Sequence, residues 1–447
     1  MKKFIQNIKN IWKVEELRKR ILLTLSLILV YRIGSFVILP GVNYAALSAA
    51  NSKGDSNALE SLLSLFSGGG FSNASIMALG IMPYISASII MQLLGMAVPA
   101  VQKMQNEGES GRKRISNYTR ILTIVICALQ APSYLTLWVG NKGALPVDAG
   151  SLWWIQSTIV LVAGSMFAVW LGERITDKGI GNGISLLITV GIISRLPQAF
   201  FAELGFSSSN LIKIVLELVT FMLIVLGTIL IVQGVRKIPM STAKRIAGAR
   251  GADAQAARSY LPIKVNASGV MPIIFAQAIM TIPVMIFASA ANNGTGNFIQ
   301  RTLGDVYGLS YNALLAILII VFTFFYTAIM INPRKMADDM KRNGGFIPGV
   351  RPGDETADYI DTLVSRITLP GSVFLALIAI LPSIAHGAGI TSGFEMFFGG
   401  TSLLIMVGVV LDTLQQIETY LLNRHMDGLM EGSRVRGRQL SNEVTGY

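Results

Sequence analysis

The sequence predicts an all-α integral membrane protein with ten transmembrane helices. Three observations carry this: an apolar composition, ten apolar runs of spanning length, and positive charge gathered into alternate loops. Of the 447 residues, 52% are hydrophobic and 14% charged, and the mean hydropathy is +0.57. A soluble domain carries about 25% charged residues, so this chain lacks the charge to cover a water-facing surface. The same figures exclude a disordered, collagenous or coiled-coil chain. A single cysteine, Cys127, rules out a disulfide framework and a Cys-based metal cluster.

The elements follow in chain order. A basic tail, 1–20, precedes the first apolar run, 21–39. That run is too long, and with Arg32 too polar, for a signal-peptide core, so it reads as a first spanning helix. The apolar stretch 59–66 is too short to cross a bilayer. Ser67-Gly68-Gly69-Gly70 then makes a hinge, so the stretch reads either as a small helix folded back among the spans or as an interfacial helix. Runs at 76–99, 121–139, 152–171, 184–202, 211–232, 270–291, 311–331, 367–385 and 396–411 complete the ten. With no water in the bilayer core, each must satisfy its own backbone hydrogen bonds and is therefore helical. Pro83, Pro132 and Pro283 predict kinks. Gly179, Gly181 and Gly183 make a tight turn between the fourth and fifth spans, and Tyr359, Ile360, Leu363 and Val364 stripe an amphipathic helix leading into the ninth.

Lysine and arginine set the orientation. The N-terminal tail and every second loop after it hold 31 of the 37 basic residues, and the opposite side holds four: Lys53, Lys142, Lys213 and Arg301. Both termini are therefore expected to face the cytoplasm. The two most basic interior loops are 234–268 and 332–366, with seven and six positive residues. Such loops suit anionic partners, whether RNA phosphates or an acidic protein surface. The organisation read from this is a tail at 1–20, a first half at 21–205, a second half at 206–415 and a tail at 416–447. Five spans per half would invert one half relative to the other.

Charge within the spans is scarce. Ion-coupled transporters place an ionisable ligand near the midplane. Here Glu173, Glu217, Glu395 and Asp412 sit at span ends, Lys213 and Glu217 are spaced to pair locally, and Arg195 is placed to snorkel outward. His386 and His425 are solitary. Gly108-Glu-Ser-Gly111-Arg-Lys-Arg114 has its glycines too close for a phosphate-binding loop. No driven-transport site, nucleotide site, catalytic group, cofactor or metal is expected; a small-solute transporter, for which the chain offers no midplane carboxylate, and an assembly scaffold are the alternatives weighed. Ile81 and Ile85 share one face of the second span, and Ile188 and Ile192 repeat that spacing in the fifth. Such pairs are ordinary lipid-facing or core residues unless they converge on one axis, where an aliphatic ring gates by dewetting.

The chain also carries a resemblance. Tyr31-Arg32-Ile33-Gly34-Ser35-Phe36, Ser67-Gly68-Gly69, and the segment from Ala74 to Ile90 with Gly80-Ile81-Met82-Pro83-Tyr84-Ile85-Ser86 resemble the SecY family, the channel-forming subunits of the bacterial Sec protein translocase. Gly179–Ser185, Leu261–Asn266, Gly349-Val350-Arg351-Pro352-Gly353 and Gly399–Leu404 follow in order. The resemblance implies two inverted five-helix halves around an hourglass pore in the cytoplasmic membrane. A lateral gate would lie between the second, third, seventh and eighth spans. It implies a constriction ring of Ile81, Ile85, Ile188, Ile192, Ile274 and Ile405. A plug at 59–72 would include Leu62, Leu63, Leu65, Phe66, Ser67, Gly68, Gly69 and Gly70. Ser86, Gln92, Gln130 and Gln277 are the polar gate candidates. Lys244, Arg245, Arg250, Arg258 and Arg351 lie in the loops with which the family binds the SecA motor ATPase or the ribosome. SecE and SecG are the implied companion subunits, SecDF and YidC further ones, and unfolded preproteins and membrane lipids the implied contacts. The tip at 248–257 departs from the family in being rich in alanine and lacking an aromatic residue.

Overall fold

The computed structural model describes residues 14–52, 58–146, 150–206, 211–242, 259–287, 305–387, 389, 394–398 and 400–443. A helix matches each predicted span. They are α1 (Glu15–Gly34), α4 (Met82–Ala97), α6 (Glu109–Tyr134), α7 (Ser151–Lys178), α8 (Gly183–Phe206), α9 (Leu211–Val232), α10 (Met271–Phe287), α11 (Leu309–Met330), α13 (Asp354–Gly387) and α14 (Gly400–Glu443). The shorter helices are α2 (Tyr44–Ser52), α3 (Ala58–Phe66), α5 (Pro99–Asn106) and α12 (Pro333–Arg342). Among the described residues, seven helices are long and apolar enough to cross a membrane, or eight when the sharply bent α4–α5 pair counts as one span. The remaining two are α1, which carries Arg18, Lys19, Arg20 and Arg32, and the shorter apolar α10.

Several boundaries differ from expectation for identifiable reasons. The second span begins at Met82 rather than at 76, because residues 67–81 form successive turns in which Gly68, Gly69 and Gly80 adopt positive φ. Pro83 lies in the first turn of α4, where its missing N–H costs nothing, so it starts a helix instead of kinking one. Pro132 lies inside α6, and the backbone past it widens into a π-helical turn at Leu135–Gly140. The tenth span starts at Gly400, after a 3-10 turn at Phe394–Phe397. The first helix stops at Gly34, and the chain beyond it makes a bridge from Ile38 to Ser75.

The 34-residue α13 joins the predicted amphipathic stripe to the ninth span without a break. Ile360 and Val364 are buried there with Leu363 packed alongside, while Tyr359 is exposed. Their partners are Ile238 and Ile263 of an antiparallel hairpin, β1 (Val235–Thr242) with β2 (Ser259–Lys264), and Met340 of α12. The short strand β3 (Gly345–Phe346) pairs with the far end of β1. The described parts of the two basic loops thus form one small folded unit at the end of the helix bundle.

Close backbone approach fixes the first half. A side chain on Gly183 would come within 2.0 Å of the Gly172 carbonyl oxygen, and one on Gly164 within 1.9 Å of that of Ile76. Small residues at such crossings let spanning helices touch through their backbones. The Gly179–Gly183 turn is held from outside by Thr24, whose hydroxyl accepts from the Ile180 amide at 3.2 Å, and by Gln416, which accepts from the Gly181 amide at 3.0 Å. The first, fourth, fifth and tenth spans are thereby tied together.

Candidate channel waist and plug

Six isoleucines separated by up to 324 positions meet in one apolar cluster. Ile81 and Ile85 come from the start of α4, Ile188 and Ile192 from α8, Ile274 from α10 and Ile405 from α14. Ile81, Ile188, Ile192 and Ile405 are buried, and Ile85 and Ile274 are half-buried and pack against them. Ile85, Ile188, Ile274 and Ile405 line one cavity of about 10 Å³ together with Phe66 and Gln277. That volume holds at most one water, so the side chains of the cluster meet with almost no space between them.

Phe66 ends the small helix α3, which folds back among the spans. Its apolar side is buried: Leu63 at 4% exposure, Leu65 at 4% and Phe66 at 6%. The side chain of Leu62 lies outside the described residues. Leu65 and Phe66 join the isoleucine cluster, and Leu63 joins a second cluster with Ile273 and Met280 of α10. After α3 the chain turns through Ser67–Gly70. The Ser67 hydroxyl accepts from the Phe71 amide at 2.9 Å, and the Tyr134 hydroxyl donates to the Phe71 carbonyl at 2.7 Å. Phe71 packs edge-on against Tyr134 and Trp138.

Three charged features at this segment escape a reading of composition. Glu60, within the apolar stretch, is buried and paired with Lys142 from the turn between the third and fourth spans. Arg195, expected to snorkel outward, instead turns inward, and its Nη2 donates to the Ser72 hydroxyl at 2.5 Å. Arg32 likewise donates to the Gly68 carbonyl oxygen at 2.7 Å. Snorkelling is the default for an arginine late in a span; here a part-buried acceptor, Ser72, outcompetes it.

The four polar gate candidates separate. Ser86 and Gln130 line one cavity of about 20 Å³, with Thr281 of α10 and Leu63 of α3 also in its wall. This places residues of the second, third and seventh spans around one seam, and α10 touches both α4 and α6. Gln277 lines the waist cavity and a neighbouring one of about 40 Å³, and its buried Oε1 has no protein partner. Gln92 is not brought to the seam, and donates weakly to Ser88 at 3.4 Å on its own helix. Six residues separate it from Ser86, which turns it about 240° round the helix.

Lys244, Arg245, Arg250 and Arg258 lie outside the described residues. Arg351 is described: its side chain is 89% exposed and forms a loose ion pair, 3.7 Å, with Glu355. At the opposite end of the bundle Lys213 meets Glu217 at 3.5 Å, as its spacing predicts, and also Glu203 at 3.8 Å. His386 is not solitary. It stacks on Tyr307 with centroids 4.0 Å apart, and the Tyr307 hydroxyl donates to Glu395 at 2.7 Å. Among the described residues no group of three metal-ligating side chains occurs.

The SecY family model matches residues 75–414. The SecY translocase subunit of Thermotoga maritima is 39% identical over 442 residues, covering 97% of this chain and all of the relative. That of Bacillus licheniformis is 41% identical over 438 residues, covering 95% of this chain and 99% of the relative. Among solved structures, a protein-conducting channel superposes with a TM-score of 0.59 at 18% identity, covering 90% of this chain and 91% of the other. Sec61 in a canine ribosome–channel complex superposes with a TM-score of 0.56 at 18% identity, over the same shares.

Proposed function

We propose a residue-level translocation mechanism that proceeds from one premise: the chain belongs to the SecY family, as a multi-pass membrane subunit of a protein-conducting channel. It passes unfolded secretory polypeptides across the membrane and releases hydrophobic segments sideways into the bilayer. The assignment of roles to residues rests above all on one observation, the meeting of six isoleucines from four helices beside Phe66.

In this reading Ile81, Ile85, Ile188, Ile192, Ile274 and Ile405 form the collar through which the chain threads. A charged side chain at the bilayer centre costs about 2.5–3.5 kcal/mol on insertion scales, so a polypeptide of mixed composition does not cross lipid. A collar with wet funnels on either side shortens that barrier to a few ångströms. Isoleucine makes no directional bonds, so the collar does not select sequence, and its branched side chains yield to the passing chain and close again behind it. The segment 59–72 is the plug that seals the resting collar.

Lateral release follows from partition energy. At about −0.3 to −0.6 kcal/mol per Leu, Ile, Val or Phe at the helix centre, a 20-residue apolar segment gains roughly 6–12 kcal/mol in lipid. No nucleotide energy is needed at this subunit for that step. The seam holding Ser86, Gln130 and Thr281 is the gate. Ser86 is bonded within its own helix, to the Met82 carbonyl at 3.2 Å, so parting the seam breaks no bond of its hydroxyl.

The basic loops 234–268 and 332–366 face the cytoplasm, as do both termini, in the cytoplasmic membrane. They dock the driving partner, the SecA motor or the ribosome, while SecE and SecG complete the complex and SecDF and YidC join it for some substrates. The halves are 21–205 and 206–415. Arg351 is the residue best placed to test this docking, since its guanidinium is exposed and only loosely paired. Reversing it with Arg351→Glu is expected to cut motor-driven import of a preprotein into proteoliposomes at least tenfold, on the order of 1.5–3 kcal/mol of lost charge-assisted bonding. Resting ion tightness is expected to stay at the wild-type level. Unchanged motor-driven import would remove Arg351 from the docking surface.

A further inference from the structure

We propose that Arg32 and Arg195 latch the plug to the first half of the channel, acting as positioning residues for the closed state. This rests on the reading of 59–72 as a plug. The two guanidinium groups come from different spans, α1 and α8, and converge on one turn: Arg32 on the Gly68 carbonyl at 2.7 Å and Arg195 on the Ser72 hydroxyl at 2.5 Å.

The turn is shaped to accept them. Gly68 and Gly69 adopt φ of +62° and +95°, a region that L side chains rarely occupy. A side chain on Gly68 would come within 2.7 Å of Arg32 Nη1 and 2.9 Å of Gly191 Cα, so the turn lies directly on the backbone of α8. Ser72 is itself tied to the plug helix, with its hydroxyl 2.8 Å from that of Ser64. A pull on Ser72 is therefore transmitted to α3. The far end of α3 is fastened by the Glu60–Lys142 pair.

Among the described residues the polar tethers named above all run to the first half. Arg32, Tyr134, Lys142 and Arg195 all belong to the first five spans and their turns. Toward the second half, Leu63, Leu65 and Phe66 present apolar contacts with Ile273, Ile274 and Ile405. Polar bonds are directional and apolar contacts are not. The plug therefore takes its position from the first half, and the second half slides against a greasy face.

The test uses the full channel complex in proteoliposomes without substrate, reading ion leak, and then preprotein import. Arg195→Met and Arg32→Met are each expected to raise resting leak on the order of tenfold, the loss of one charge-assisted bond, with import retained. Arg195→Lys, which keeps the charge and a donor, is expected to stay near wild type. Ser72→Ala, a small change that spares the helix, is expected to leak like Arg195→Met, and the double variant no more than either alone. Wild-type tightness in Arg195→Met and Ser72→Ala, beside a leaky channel lacking 59–72, would overturn the latch and leave the plug standing. A tight channel lacking 59–72 would instead overturn the plug reading on which the latch rests.

Discussion

Removing residues 59–72 is expected to raise the resting ion leak of reconstituted channels on the order of a hundredfold or more, while preprotein import continues. Three buried side chains, Leu63, Leu65 and Phe66, hold the segment against the waist. At about 1.5–3 kcal/mol per buried apolar side chain, the plugged state dominates at rest, and deletion converts every channel to the unplugged one. The remaining barrier is then the isoleucine collar alone, a thin apolar constriction that wets intermittently. Leak is read as single-channel conductance or as anion flux from loaded vesicles. A scaffold without a conduit would show no increase.

The second large effect is a charge in the collar. Ile188 is 3% exposed and its side chain lies in the closed cavity beside Ile85, Ile274 and Ile405. Ile188→Asp would bury a carboxylate with no cation within the collar. Burying a polar group without partners costs roughly 2–7 kcal/mol, and a charge more, so the closed waist is expected to hydrate and leak. Ile188→Val, which removes one methylene at about 0.5–1.5 kcal/mol, is expected to leave the seal nearly intact. Comparing the conductance of the pair separates a hydrophobic gate from a merely structural core. A tight Ile188→Asp channel would mean that water never meets this residue.

How far the sequence carries the fold depends on how local each signal is. The spans were legible because each is a continuous apolar run, and α3 was legible because eight apolar-rich residues end in Ser67-Gly68-Gly69-Gly70. The start of α4 was not. An apolar run from 76 looks helical, yet the turns at 67–81 depend on glycines whose φ is set by their neighbours. The paired spacing of Ile81 with Ile85 and of Ile188 with Ile192 fits lipid-facing, core and pore positions equally well. The convergence of α4, α8, α10 and α14 excludes only the lipid-facing reading, and the Ile188 variants separate pore from core.

The charged groups show the same limit. Lys213 and Glu217 are four residues apart and their pairing is written in the chain. Glu60 and Lys142 are 82 residues apart, and Arg195 and Ser72 are 123 apart. No local pattern announces either. A lone arginine in an apolar run signals that something unusual happens there, since such a charge is expensive. It does not say which way the side chain turns. Ser86, Gln130 and Thr281 line one cavity only because three spans are brought side by side.

The central claim is that translocating polypeptide passes through the isoleucine collar, and a photocrosslinker placed at position 85 or 188 tests it most directly. With a preprotein arrested midway through import, both positions are expected to crosslink to the arrested chain. A crosslinker at Leu216 or Leu223, exposed on the outer face of α9, is expected to reach lipid alone. An arrested chain that crosslinks to the α9 positions and not to 85 or 188 would contradict the account.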